Sequence, residues 1–187
     1  RIGDKINPLF CEIKGFISLD LNDHNQDYDR VGIRLIAGFP KQFPLAADAL
    51  DDISNSPNNN WTYVILDKGT TMSEFDGTLT AFQSPVNHKQ FTLKAERRII
   101  VTRPRFYDAP LVGNDAFRYS GNSVRFFRMR IKCPKTILHS DNNATTHSTS
   151  FDPVLCAGYT LLNGATPVAP DAVAPKPVSI SFTTRLI

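Results

Sequence analysis

The sequence predicts an all-β fold, an antiparallel sandwich, and three observations carry that reading. Thirteen Phe and thirteen Pro stand against two Met and one Trp in 187 residues, a balance that suits many short strands joined by turns. Apolar and polar residues alternate with period two over several stretches, which gives an extended chain one buried and one open face. Long polar connections, not tight Asn-Gly hairpins, separate most of those stretches, and this favours a Greek-key arrangement over a simple meander. A chain of this length is expected to make one domain, residues 1–187, with an ample core.

Taken in order, Leu9 to Leu21 alternates first. Leu9, Cys11, Ile13, Ile17, Leu19 and Leu21 share one face, and Glu12, Lys14, Ser18 and Asp20 the other, with Gly15 marking a bend or bulge. A polar connection over 22–29 leads to a strand from Val31 to Ala37, where Ile33, Leu35 and Ala37 face one way and Arg34 the other. Pro40 and Pro44 break the sheet. Leu45, Ala49 and Ile53 then recur at helical spacing, predicting a helix over 45–53 in an interstrand loop outside the sandwich. Trp61 to Leu66 reads as a short strand, Met72 to Phe82 has room for a helical turn, and Lys89 to Arg103 is a long strand. An irregular stretch over 105–122 precedes a strand from Val124 to Cys133, which the pattern extends past Pro134 to Leu138. The loop at 140–150 is polar enough to require exposure, and 165–177, rich in Pro and Ala, reads as an extended surface loop. Val154 to Leu162 and Val178 to Ile187 are the last strands. The sum is an eight-stranded antiparallel jelly-roll sandwich with one or two short helices in interstrand loops.

The signatures of common chemistries do not occur. There is no GxSxG elbow, GxxxxGK[ST] phosphate loop, HExxH or GxGxxG, so the chain is read as a non-enzyme without a cofactor. His24, His88, His139 and His147 lack ligand-like spacing, and no metal site is assigned. Asp48 and Asp52 lie one turn apart on the predicted helix, but a solvated helix face explains them better than a calcium site. Cys11, Cys133 and Cys156 are an odd, widely spaced set inside apolar runs and read as small buried hydrophobes in a reducing compartment. No run of eighteen apolar residues occurs, and no membrane partner is expected.

One constellation remains. In the decapeptide Val124 to Cys133, Phe127, Met129, Ile131 and Cys133 alternate with Phe126, Arg128, Arg130 and Lys132. Like charges on one strand face repel, so such a face calls for an anionic partner or for carboxylates from neighbouring strands. Arg97 and Arg98 lie mid-strand, Arg103 and Arg105 flank Pro104, and aromatic residues are interleaved. Guanidinium groups bind phosphate and aromatic rings stack bases, so Arg97, Arg98, Arg128, Arg130, Lys132 and Phe126 form the candidate single-stranded nucleic-acid site. The net charge of +3 permits an anionic partner without demanding one.

The stretch from Gly77 to Val101, Gly-Thr-Leu-Thr-Ala-Phe-Gln-Ser-Pro-Val-Asn-His-Lys-Gln-Phe-Thr-Leu-Lys-Ala-Glu-Arg-Arg-Ile-Ile-Val, resembles the capsid proteins of small icosahedral viruses. Glu12-Ile-Lys-Gly-Phe-Ile followed by Val31-Gly-Ile-Arg-Leu-Ile looks like the first two jelly-roll strands of capsids from circular single-stranded DNA (circovirus-like) viruses. The chain departs from that pattern at Phe39-Pro-Lys-Gln, where an Asp-Lys or Asp-Arg pair belongs. The resemblance implies a coat protein that self-assembles, in about 60 copies for the simplest shell, around a single-stranded DNA genome or an RNA one. It implies residence in the virion and assembly in the host nucleus. It also implies a basic arm before Arg1, because +3 per subunit balances little of a packed genome. The alternative is a monomeric nucleic-acid-binding sandwich or barrel.

Overall fold

The computed structural model describes residues 5–19, 30–43, 46–56, 60–69, 74–102, 123–138, 151–162 and 178–187. In chain order its elements are β1 (Lys5–Ile6), β2 (Phe10–Leu19), β3 (Arg30–Pro40), α1 (Ala46–Asn55), a 3-10 turn (Trp61–Val64) and α2 (Leu79–Gln83). These are followed by β4 (Phe91–Thr102), β5 (Val124–Lys132), β6 (Ile137–Leu138), β7 (Val154–Leu161) and β8 (Val178–Leu186). Six strands form two antiparallel sheets, ordered β5-β2-β8 and β4-β3-β7, and the two-residue strands β1 and β6 pair separately. Sheets of about four strands each are the sequence expectation; three each are found among the described residues.

The predicted alternation builds the space between the sheets. Cys11, Ile13, Ile17 and Leu19 of β2 pack with Phe127, Met129 and Ile131 of β5 and with Val31, Ile33, Leu35 and Ala37 of β3. Ile13 lies opposite Met129 and Cys11 opposite Ile131, so the two strands offer one continuous apolar surface. Leu9 is the exception to the expected buried face, at 71% exposed, because β2 begins only at Phe10. Gly15 is not a bulge. Both of its partner strands keep register through it, and its lack of a side chain serves close approach. A Cβ there would lie 2.1 Å from the Ser181 carbonyl oxygen and 2.9 Å from Phe127 Cε1. The register shift falls instead between Ala37 and Gly38 in β3.

A second core covers the outer face of the β4-β3-β7 sheet. Ile36, Phe91 and Val154 project from the strands to meet Ala49 of α1, Trp61, Ile65 and Leu66 around the 3-10 turn, and Ala81 of α2. The helix expected over 45–53 occurs as Ala46–Asn55, and the turn expected within 72–82 as Leu79–Gln83. The strand expected over Trp61–Leu66 is a 3-10 turn instead. The Asn60 side chain caps it by accepting from the Thr62 N–H, and the Trp61 N–H donates to Asp52 at 3.0 Å. Leu66 alone retains β character, in an isolated bridge to Val86. Likewise β5 ends at Lys132, and Ile137–Leu138 pairs with β1 as a separate element. Among the described residues, no helix packs on the outer face of the other sheet, β5-β2-β8. The expectations for 105–122, 140–150 and 165–177 lie outside the described residues.

Candidate functional site

The outer face of the β5-β2-β8 sheet is built by three adjacent strands whose outward residues coincide in register. Glu12 of β2 lies between Arg130 of β5 and Arg185 of β8, and Lys14 lies between Arg128 and Thr183. Phe16 lies between Phe126 and Ser181, and Phe10 opposite Lys132. Five cations therefore share this face with one carboxylate. Glu12 is 1% exposed, roofed by the side chains it binds. Its Oε2 meets Lys14 Nζ at 2.9 Å and accepts from Arg185 Nη2 at 3.0 Å and Nε at 3.2 Å. Its Oε1 accepts from Arg130 Nε at 3.0 Å and from Nε of Arg128, with Arg128 Nη2 also in contact.

The Lys14 ammonium, followed by the Arg130, Arg128 and Arg185 guanidiniums, holds the Glu12 carboxyl far below the usual carboxylate range, against the opposing pull of desolvation. One negative charge cannot neutralise four partners, so the face stays strongly cationic while its side chains are held in place. Arg130 also lies over the Phe10 ring, 5.8 Å from its centroid. Toward the other end the face turns aromatic. Phe126 is 82% exposed and Phe16 is 41% exposed, with ring centroids 6.3 Å apart and planes tilted by 59°. A surface depression of about 390 Å³ lies between this ring pair and the cations, walled on the β8 side by Ser181, Phe182 and Thr183.

The structure brings together Arg128, Arg130, Lys132 and Phe126 but separates them from Arg97 and Arg98. Those two are on β4 in the other sheet, and being adjacent in an extended strand they point to opposite faces. Arg98 Nε donates to Glu96 at 2.9 Å and its guanidinium lies 6.0 Å from the Phe82 centroid, on the helix-covered side. Arg97 is exposed opposite Leu35. Arg103 and Arg105 lie outside the described residues. Three members of the cationic face are absent from the sequence-derived set: Glu12, Lys14 and Arg185. The outward parity of β2 supplies the signal for the first two, whereas Arg185 becomes visible only through the pairing of the last strand with β2.

Among the described residues no group of three His, Cys, Asp or Glu is placed to hold a metal, and Asp52 is engaged with the Trp61 backbone. The three cysteines are free thiols, and burial pushes Cys156 up to about 12. No helix among the described residues is long and apolar enough to cross a membrane. No family model matches this chain, and neither the curated proteins nor the solved structures contain a match to it.

Proposed function

We propose that this chain is a jelly-roll coat subunit that binds a single-stranded genome, DNA by the resemblance of its strands, through the outer face of the β5-β2-β8 sheet. The observation that carries the binding half is the ratio of five cations to one carboxylate on a sheet face that also displays Phe126 at 82% exposure. Phosphates complete the charge balance, and unpaired bases offer π faces to the exposed ring. Binding of this kind is insensitive to sequence and falls steeply with salt.

Assembly draws support from apolar side chains that a lone sandwich leaves in water. Leu9, Leu186 and Ile187 are exposed at one end of the sheet, tied together by the Leu9 N–H donating to the Ile187 carbonyl at 2.6 Å. Exposed apolar side chains gathered in one place mark association surfaces, and a closed shell uses repeated heterologous contacts of that kind. A monomeric nucleic-acid-binding sandwich is the second reading, favoured by the fact that both apolar cores close within one chain. Electron microscopy with light scattering on the purified protein separates the two. Uniform closed shells are the expected result, and a monomer at every concentration, salt and pH contradicts assembly.

A further inference from the structure

Resting on the nucleic-acid reading above, we infer that the depression between Phe126 and Arg128 is a subsite for one unpaired nucleotide, taking a base against the Phe126 ring and a phosphate on Arg128 and Lys14. Its volume of about 390 Å³ lies at the lower end of the range for small-ligand sites, roughly 300–1,000 Å³, which suits one nucleotide unit.

The wall chemistry divides as a nucleotide does. At one side Phe126 stands out from the sheet, and Phe16, tilted by 59° at 6.3 Å, flanks it. At the other, Arg128 engages Glu12 through Nε and Nη2 while its side chain stays 49% exposed, so the guanidinium can also donate to a phosphate oxygen. Lys14 is 45% exposed while it contacts Glu12, so its ammonium has donors to spare. Ser181, Phe182 and Thr183 line the β8 side, and the Ser and Thr side chains suit a sugar or a base edge, since a hydroxyl both donates and accepts. Two-fold pairing of this face with its own copy is disfavoured, because like cations would meet, and a heterologous contact with another surface of a second copy is the competing outcome of the test. A duplex is disfavoured because its bases are already stacked and hydrogen-bonded.

Fluorescence anisotropy with a labelled oligothymidylate and with an abasic strand of equal length and phosphate number tests the subsite. The protein is expected to bind the base-bearing strand about tenfold or more tightly. Phe126→Ala is expected to remove that preference while leaving binding of the abasic strand unchanged, and Arg128→Ser to weaken both strands. Equal affinity of the wild-type protein for the two strands overturns the subsite and leaves the nucleic-acid reading standing, whereas binding of neither strand overturns both. Preference retained in Phe126→Ala also overturns the subsite. If light scattering then shows that this variant has lost self-association, the ring is a subunit contact.

Discussion

Glu12 shows how one side chain can hold a surface that would otherwise repel itself. Four cations converge on a carboxylate that is 1% exposed, and without it the charges across β5, β2 and β8 would face each other unscreened. The carboxyl is held well below its unfolded value of about 4.3. A depressed folded pKa contributes stability that is complete above the unfolded value, and that contribution is lost as pH falls through it toward the folded one. Glu12→Gln is therefore expected to lower the urea midpoint at pH 7, and the gap from wild type should narrow steadily below about pH 4. Added salt should recover part of the loss at pH 7 by screening the uncompensated cations. Equal midpoints for the two proteins at pH 7 would show that the carboxylate contributes nothing to the fold.

At the scale of elements, alternation is the reliable signal and covering layers are the hidden one. The period-two pattern of Val124–Lys132 places Phe127, Met129 and Ile131 inside and Phe126, Arg128, Arg130 and Lys132 outside, as the structure has them. Met129→Ala is accordingly expected to cost about 2–5 kcal/mol in denaturant unfolding, whereas Lys132→Ala should change stability by no more than about 0.5 kcal/mol. Comparable losses in both would contradict the assigned faces. The same alternation holds for Arg34, which points away from Ile33, Leu35 and Ala37, but the face it reaches is covered. It is buried, with Nη1 donating to the carbonyls of Ala81 at 2.8 Å and Ser84 at 2.6 Å and Nε to Glu96 at 2.9 Å. Nothing in the local pattern of β3 announces that α2 and its flanking turn will cover that face. Trp61–Leu66 misleads for a related reason: a short, mostly apolar segment fits a strand or a buried turn equally well. Its outcome was decided by Asn60 and Asp52, which take up the backbone donors of Thr62 and Trp61.

Over the whole molecule, the helical layer covers one sheet, and among the described residues no helix covers the other. The grouping of charges follows from that asymmetry. Arg128, Arg130, Lys132 and Phe126 were legible as a group because they alternate on one strand. Arg185 was not, since a single Arg in the last strand acquires meaning only when β8 pairs with β2. Arg97 and Arg98 fail as a pair because adjacent residues of a strand face opposite ways. The proposed binding surface is therefore one sheet face, with Lys14 and Arg185 added to the strand cations and the two β4 arginines placed apart from it.

The most direct measurement of that claim is the salt dependence of single-stranded DNA binding by the wild-type protein and by Arg128→Ser/Arg130→Ser. Each phosphate contact contributes about 0.7 to the steepness of the log–log plot for a single strand, so removing two contacts should reduce the slope by about 1.4 and weaken binding at low salt. An unchanged slope and affinity in a folded double variant would contradict the account, because the cations of the β5-β2-β8 face would then not be meeting phosphate.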